Sequence, residues 1–476
     1  MNTKLITSVG IDVGTTTTQV IFSRLTLVNR APASQVPVYE FIDRKVIYQS
    51  PVIFTPINFD GVIDNEKIKQ FIEEQVSLAG ITHDDIESGA IIITGETAKA
   101  KNARSSLLHL SQEMGDFVVA TAGPHLESII AGRGSGAQQV SESNHRRVMN
   151  IDIGGGTANF VVFDCGRVVD TACINIGGRL IQLGEQGQVT YLSEAGAMLV
   201  KEVFGEQISP NALTKDHIRR ISNKMADILF GLIRGENTQI TARLLQTAEL
   251  KQLDDIDSIY ISGGVGKCLF EERVNPVDDL KFGDMGPMLA RSMLRHTEFE
   301  RLPFIEPKQT VRATVIGAGA HSLSLSGSTI WLELESLPIK NVPVIHPTID
   351  WNNPEFDVSK EICICAERMD IALATDQYAI ALDSSMPTKY RAVLQAVKGL
   401  EQFYRLHGNH NDSALIISHN DIGKALGMEL QPLLLPQPLA VIDEVATREG
   451  DYIDIGKSYF GGEIVPLTVK SLAFPS

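Results

Sequence analysis

A run of three glycines between two apolar segments gives the first strong indication of how this chain folds. Residues 150–160 read Asn-Ile-Asp-Ile-Gly-Gly-Gly-Thr-Ala-Asn-Phe, and their apolar flanks predict strands over 147–153 and 160–164. Because glycine has no Cβ, backbone N–H groups in the intervening turn could approach an anion closely. Asp152 stands at the strand end, where a carboxylate suits a hydrated Mg²⁺. The alternative interpretation is an ordinary glycine turn with a solvated aspartate.

The same pattern occurs earlier in the chain. Residues 10–20 read Gly-Ile-Asp-Val-Gly-Thr-Thr-Thr-Thr-Gln-Val, again a strand, an aspartate, a glycine, hydroxyl residues and a strand. The alignment pairs three residues of each copy: Asp12 with Asp152, Gly14 with Gly154, and Thr17 with Thr157. Neither copy has the Gly-Lys-Ser/Thr of a Walker loop, and neither leads directly into a helix as a Rossmann fingerprint does. The repetition predicts two similar halves that face each other across a nucleotide.

A third glycine-rich segment completes an ordered set. Residues 259–267 read Ile-Tyr-Ile-Ser-Gly-Gly-Val-Gly-Lys, which predicts a short strand followed by a turn where a base or ribose could lie against bare backbone. The three segments together resemble the phosphate-1, phosphate-2 and adenosine motifs of the actin/Hsp70/sugar-kinase ATPase superfamily. This resemblance implies an α/β protein with a two-lobed actin/Hsp70-like ATPase fold, built from duplicated ribonuclease-H-like halves.

The composition argues against some classes of function. The chain has 476 residues and a formal net charge of −16, so no excess of Lys and Arg is available to neutralise nucleic-acid phosphates. No window approaches the roughly 18 uninterrupted apolar residues of a membrane span. The chain enters its first predicted strand almost at once, which leaves no signal peptide, and an odd number of cysteines, five, suggests reduced thiols. We therefore expect a cytoplasmic protein without a nucleic-acid or membrane partner.

The remaining pattern gives a provisional division of the chain. The small polar segment 134–145 is interpreted as a linker, and the small-residue segment 313–326 as a closely packed helix. Alternation over 362–365 predicts a strand that directs two thiols to one buried face.

We expect a first ATPase half over 1–140, a second half over 141–330, and an additional C-terminal α/β module over 331–476 that binds a partner. Further strands are predicted over 7–13, 18–23, 38–42, 45–50, 90–94, 117–120 and 414–418, and helices over 66–79, 194–203, 215–235, 238–249, 389–404 and 421–428.

A longer resemblance runs through the whole chain, the C-terminal module included. Six segments are similar to the ethanolamine ammonia-lyase reactivating factors: 8–20, 91–99, 115–128, 313–331, 440–445 and 451–456. The resemblance implies a chaperone-like factor of ethanolamine utilisation, cytoplasmic or associated with a bacterial microcompartment. Members of this family act with ATP and Mg²⁺ on inactivated ethanolamine ammonia-lyase. They release damaged cobalamin, so that intact adenosylcobalamin can rebind.

The motifs assign provisional roles to particular residues. Asp12 and Asp152 are predicted to hold Mg²⁺ through water, although plain turn caps would look the same. Glu96 follows a predicted buried strand and could orient the attacking water, or could simply begin a surface helix. The predicted phosphate cradle consists of Gly14, Thr15, Thr16 and Thr17 on one side and Gly154, Gly155, Gly156 and Thr157 on the other. The predicted base site consists of Gly263, Gly264 and Gly266.

Two other classes of protein share this ATPase scaffold. A small-molecule kinase would need a further carboxylate facing the substrate hydroxyl, and no segment of the chain identifies one. An actin-like assembly protein would not need the module over 331–476. Both classes stay open as alternatives. The resemblance to the reactivating factors implies a weak ATPase acting as a reactivation chaperone rather than a metabolic enzyme.

Overall fold

The first part of the chain folds around a mixed sheet. The computed structural model describes residues 3–14, 17–29, 39–56, 63–82, 85–94, 117–307, 318–325, 331–333, 337–456 and 465–472. Its first strands are β1 (Thr3–Val13), β2 (Thr17–Asn29), β3 (Tyr39–Gln49), β4 (Ile53–Phe54), β5 (Ile86–Thr94) and β6 (Phe117–Ala122). They are ordered β3-β2-β1-β5-β6, with β4 paired to β2. Helix α1 (Asn65–Leu78) begins at the cap Asp64 and packs Ile68 and Ile72 onto this sheet.

A second sheet repeats the first. Its strands are β7 (Arg147–Ile153), β8 (Ala158–Asp164), β9 (Arg167–Ile174), β12 (Ser258–Ser262) and β13 (Phe304–Ile305), ordered β13-β12-β7-β8-β9. In both sheets the first three strands along the chain pair antiparallel, and the next two are parallel to the first strand. This shared topology confirms the predicted duplicated halves of an actin/Hsp70-like fold. The short strands β10 (Ile181–Leu183) and β11 (Val189–Leu192) form a separate hairpin.

Helices cover the second sheet. They are α2 (Pro124–Gly134), α3 (Ala137–Asn144), α4 (Glu194–Phe204), α5 (Lys215–Ile233), α6 (Gln239–Leu244), α7 (Gly263–Val274) and α8 (Gly286–Arg295). The linker predicted over 134–145 is wrong, because this segment is mostly helix α3. Its small residues allow close packing: Ser141 is fully buried, and its hydroxyl donates to the Arg146 carbonyl (2.6 Å) and accepts from the Gly166 N–H (2.9 Å).

The C-terminal part forms a third sheet. Its strands are β14 (Ala318–Leu325), β15 (Trp331–Glu333), β16 (Ile339–Ile345), β17 (Ala379–Leu382), β18 (Ala414–Ser418), β19 (Leu439–Ile442), β20 (Tyr452–Ile455) and β21 (Pro466–Leu472). Strands β16 to β19 are parallel, and the crossover helices α9 (Val358–Arg368), α10 (Tyr390–His407) and α11 (Gly423–Leu434) share one apolar core against them. Strand β14 pairs with β21, so this sheet includes residues that precede 331.

One predicted strand and one predicted helix are exchanged in type in the structure. Residues 362–365, predicted as a strand, lie inside α9, whose buried Val358, Ile362, Cys365 and Ala366 follow a helical spacing longer than the short alternation first considered. The segment 313–326 was predicted as a helix, but its described part is strand β14, where pairing with β21 outweighs the local preference of small residues. Among the helices of the described ranges, none combines the length and apolarity needed to cross a membrane.

Helix α2 joins the second sheet to the C-terminal part. It packs against β7, β8 and β9 and also contacts α9. Asp370, just after α9, accepts a hydrogen bond from the Leu126 N–H (2.7 Å) in the first turn of α2. At the other end, the buried Arg133 guanidinium donates to the Glu449 carbonyl oxygen (2.9 Å) and pairs with its carboxylate (3.1 Å). Both ends of α2 are therefore held by the C-terminal part.

Candidate nucleotide-binding site

The glycine turn between β7 and β8 has an open row of N–H groups. The two strands pair up to Ile153 and Ala158, and the Gly154 N–H donates to the Thr157 carbonyl oxygen (3.0 Å) across the turn. The carbonyl oxygens of Gly154 and Gly155 accept from the following segment, from the N–H groups of Gly178 (3.0 Å) and Arg179 (2.7 Å). Within the part of the chain that the structure describes, the N–H groups of residues 155–157 have no acceptor. Such a turn suits an anion.

The surroundings of the motif glycines differ: some positions face open space, and another faces a side chain. A Cβ built on Gly156 or Gly264 would meet no atom within 4 Å, and one on Gly154 would only reach the Thr157 carbonyl oxygen at 3.8 Å. These three positions leave open space beside the backbone, which fits the close approach of a phosphate or a ribose. A Cβ on Gly155 would meet the flexible Arg179 side chain at 3.2 Å.

At positions 263 and 266, the packing of the fold itself also requires glycine. A Cβ on Gly263 would lie 2.5 Å from the Ile153 carbonyl oxygen, and its φ of +84° lies in the left-handed region. A Cβ on Gly266 would lie 3.0 Å from Ile261. These glycines let α7 begin directly against the ends of β7 and β12. The segment predicted as a turn is therefore the first turn of a helix, whose N-terminal N–H groups favour negative charge.

Strand pairing brings the second and third motifs to one edge of the sheet. Strands β7 and β12 are parallel, and Ser262 pairs with Asp152. The Ser262 hydroxyl donates to Asp152 Oδ2 (2.6 Å), and Asn150 Nδ2 donates to Ser262 Oγ (3.2 Å). Sequence reasoning did not identify Ser262 or Asn150, because the contact depends on the register of two strands more than 100 residues apart. The one sequence signal was that Ser262 ends its strand just before Gly-Gly.

The strands of the first hairpin pair in the same register as those of the second. Asp12 pairs with Gln19 across β1 and β2, just as Asp152 pairs with Asn159 across β7 and β8. Both aspartates are nearly buried, at 8% and 9% exposure, which does not suit the solvated aspartate of the alternative interpretation. The Gly14 carbonyl oxygen accepts from the Thr55 hydroxyl (2.7 Å).

Some of the predicted site residues are described in part or not at all. Thr17 begins β2 and is described by its backbone alone, and Thr15, Thr16 and Glu96 lie outside the described residues. Strand β5 runs parallel to β1, pairs Ile93 with Val13, and ends at Thr94, just before Glu96 in the chain.

The residues of the second hairpin fit a nucleotide phosphate with a hydrated cation. The open N–H groups and the bare glycine backbone suit the phosphate. No cluster of three or more His, Cys, Asp or Glu side chains exists among the described residues. A hydrated Mg²⁺ needs no such cluster, because it usually keeps several water ligands and is held by one or two carboxylates.

A partly buried ion pair lies beside the glycine turn. Arg179, whose side chain lies against Gly155, donates through Nε to Asp284 Oδ2 (3.3 Å). Asp284 Oδ1 accepts from the Gly286 N–H (2.9 Å) at the start of α8. Burial raises the pKa of Asp284, although the Gly286 N–H and Arg179 both favour its charged form. Sequence reasoning gave no signal for this pair.

Two other features lie apart from this site. A groove of about 1110 Å³ between α5 and α8 is lined by charged residues and by none of the predicted site residues. Several of its charges neutralise one another, as where Arg291 pairs with Glu272 (2.7 Å). His125 Nδ1 lies 2.7 Å from the Thr171 hydroxyl, so this histidine has a hydrogen-bonding partner within the fold.

Gly263→Ala is expected to destabilise the protein by about 3 kcal/mol, because the added methyl group meets backbone and the residue must keep a positive φ. Gly264→Ala is the matched control: its methyl group enters open space in the same helix, so stability should stay equal or rise by up to about 1 kcal/mol. Urea unfolding followed by circular dichroism measures both variants. Equal stabilities would contradict the structural role of Gly263.

Comparison with known proteins gives the family. The family model described as "Ethanolamine utilisation protein EutA" matches residues 4–475. The proteins described as "Ethanolamine ammonia-lyase reactivase EutA" from Salmonella typhimurium (strain LT2) and Escherichia coli (strain K12) are 49% and 50% identical over 476 residues, covering 100% of both chains. Among solved structures, the Aquifex aeolicus PPX-GPPA enzyme is similar at 16% identity, covering 64% of this chain and 97% of its own, with a TM-score of 0.38. The chain belongs to the EutA family of ethanolamine utilisation proteins.

Proposed function

We propose that this protein is an ATP- and Mg²⁺-dependent reactivating factor for ethanolamine ammonia-lyase. It releases damaged cobalamin from the inactivated lyase, so that intact adenosylcobalamin can rebind. The observation that carries the proposal is the match to two reactivases at about half identity along the entire chain, including residues 331–476. A kinase or an assembly protein of this superfamily would share the nucleotide-binding halves alone, so these alternatives are not favoured.

The proposed nucleotide site uses both hairpins and the start of α7. The N–H groups of residues 155–157 would bind phosphate from one side, and the turn of residues 14–17 from the other. Asp12 and Asp152 would hold Mg²⁺ through water, and this cation would neutralise phosphate charge. The bare backbone at Gly264 would accommodate the ribose or base. Glu96 is proposed to orient the attacking water.

The C-terminal module over 331–476 is proposed to bind the lyase, beside ATPase halves over 1–140 and 141–330. A nucleotide can shift the affinity for the lyase only if it favours one conformation of the protein over another. Helix α2 supports such coupling, because it packs on the strands β7 and β8 that flank the glycine turn and is held at both ends by the C-terminal part. On the family resemblance, we place the protein in the cytoplasm, in association with a bacterial microcompartment.

The full-length protein should reactivate ethanolamine ammonia-lyase that has been inactivated with a cobalamin lacking its adenosyl group. ATP, Mg²⁺ and fresh coenzyme are added, released cobalamin is measured by absorbance after gel filtration, and lyase activity is then assayed. Release should stop when EDTA removes the metal ion. No release under any nucleotide condition would refute the proposal. ATP-dependent pelleting would then favour an assembly protein, and phosphoryl transfer to a small molecule would favour a kinase.

A further inference from the structure

Three buried polar residues form a chain of hydrogen bonds behind the glycine turn. Asn150 and Ser262 are fully buried, and Asp152 is 9% exposed. Asn150 Nδ2 donates to Ser262 Oγ (3.2 Å), and Ser262 Oγ donates to Asp152 Oδ2 (2.6 Å). The amide nitrogen can only donate and the carboxylate can only accept, so the single proton of the serine hydroxyl must point to Asp152. The donor and acceptor of each hydrogen bond in this series are therefore fixed.

The geometry of the sheet makes this contact specific. Asn150 and Asp152 are two residues apart on β7, so their side chains lie on the same face of the sheet. Ser262 is the partner of Asp152 on the neighbouring parallel strand β12, which places its side chain on that face as well. The strand that carries the adenosine motif thereby contacts the carboxylate at the phosphate turn. A shift of one residue in this pairing would turn Ser262 to the other face.

The Ser262 side chain contacts Asp152 and does not cap helix α7. It is the N-cap residue of α7, a position where a serine side chain commonly accepts a hydrogen bond from the first turn of the helix. Its side chain makes no such capping bond. The hydroxyl is directed to Asp152 instead, and the N-terminal N–H groups of α7 remain without this cap. If this serine served only to stabilise α7, its hydroxyl would accept a hydrogen bond from the first turn of the helix.

We propose that Ser262, supported by Asn150, is a positioning residue that fixes the orientation of the Asp152 carboxylate for a hydrated divalent cation. The inference rests on the proposed function, since it concerns the cation of the same nucleotide site. With the Oδ2 atom held by Ser262, the carboxylate has one defined orientation at the end of β7. Asp152, which would hold the cation, is then linked to the adenosine strand β12 through one hydrogen bond from Ser262, and Asn150 supports that serine through a second. Neither Ser262 nor Asn150 touches the reacting atoms.

A purely structural polar cluster would behave differently from a positioning pair. Loss of a structural hydrogen bond lowers stability and affects ATP binding equally with and without metal. Loss of a positioning contact mainly weakens the metal dependence, because the carboxylate is no longer held in place. The test therefore needs metal affinity and nucleotide affinity measured separately on the same protein. Thermal unfolding of each variant without ligands reports the structural contribution.

Ser262→Ala is compared with wild type, with Ser262→Thr, which keeps a hydroxyl, and with Ser258→Ala. Ser258 is a matched control, because it is buried on the same strand and points to the same face four residues earlier. Mn²⁺ binding in the presence of ATP is followed by electron paramagnetic resonance, and ATP binding with and without Mg²⁺ by calorimetry. Ser262→Ala should weaken Mn²⁺ binding by about tenfold and change metal-free ATP affinity less than about twofold. Ser262→Thr should restore most of the loss, and Ser258→Ala should match wild type.

The outcomes separate this inference from the proposed function. Wild-type protein without metal-dependent ATP binding would refute the proposed function, and the inference with it. Normal Mn²⁺ binding by Ser262→Ala would overturn the inference alone, as would equal losses of ATP affinity with and without metal. If Ser262→Ala does not fold, Asn150→Ala decides the question, because it keeps the serine–aspartate bond but removes its support. We expect about threefold weaker Mn²⁺ binding in that variant, and an unchanged affinity would overturn the inference.

Discussion

Gly156→Val is expected to weaken ATP binding by at least about tenfold, which corresponds to about 1.4 kcal/mol, without destabilising the fold. A Cβ at this position meets no protein atom within 4 Å, so the fold can accept the side chain. The same space is where a phosphate must approach the N–H groups of the turn. Calorimetric titration with ATP measures the loss, and circular dichroism confirms the fold. Reactivation of the lyase should fall in parallel.

A graded series makes this result specific. Gly156→Ala should lose less affinity than Gly156→Val, because the smaller side chain leaves part of the space open. Gly155 is a less suitable position, since its substitution would also displace Arg179, which contacts Asp284. Unchanged ATP affinity in Gly156→Val would refute the phosphate role of this turn.

Breaking both contacts at the ends of α2 is expected to reduce cobalamin release more than tenfold. Asp370→Ala removes the acceptor of the Leu126 N–H, and Arg133→Ala removes the pair with Glu449. The double variant should bind ATP within about twofold of wild type, because neither residue is part of the glycine turns. Release is expected to fall by that amount, since the C-terminal part would no longer follow the sheet that carries Asp152. Release is measured by absorbance after gel filtration, and ATP binding by calorimetry.

Arg405→Ala is the control for this double variant. It removes an arginine from an exposed pair with Glu401 in the same part of the chain (3.4 Å), and such pairs contribute little to stability. Cobalamin release at the wild-type rate by the double variant would show that α2 does not couple the two parts. We prefer these substitutions to a truncation near residue 328, because that truncation would leave β14 without its partner β21.

The pH dependence of stability gives a second measurement on the same contact. Burial raises the pKa of the Asp370 carboxyl to about 7, although the N–H groups of α2 act against the shift. The folded protein therefore keeps a proton that the unfolded chain releases above its ordinary pKa of about 4. This contribution makes the stability fall as the pH rises from about 4 to about 7. Asp370→Asn should remove that part of the pH dependence.

The sequence by itself was sufficient to predict the two hairpins. In each, four residues separate the last paired positions (Val13 and Thr18, Ile153 and Ala158), so the spacing along the chain sets which residues oppose each other. The alignment of Asp12 with Asp152 is confirmed because both aspartates occupy the same place in the same local structure. The duplicated fold followed from this repetition. The family followed from segments that extend along the whole chain.

Short segments with little periodicity were predicted less well. Residues 362–365 alternate like a strand, but the apolar spacing from Val358 to Ala366 and a buried core made them part of a helix. The polar segment 134–145 looked like a linker until helix packing gave the small side chains a buried position. In both cases tertiary packing outweighed the local composition, because burial depends on residues that are distant in the chain.

Contacts between distant residues were decided by the tertiary structure alone. Ser262 meets Asp152 because two parallel strands pair in one register, and no local pattern encodes that register. Asp370 contacts the start of α2 across 244 residues of sequence. Gly263 could be recognised as a motif glycine, but its approach to the Ile153 carbonyl oxygen appeared only once the strands were placed. The sequence determined which residues carry the chemistry, and the packing of distant strands and helices determined what holds them in position.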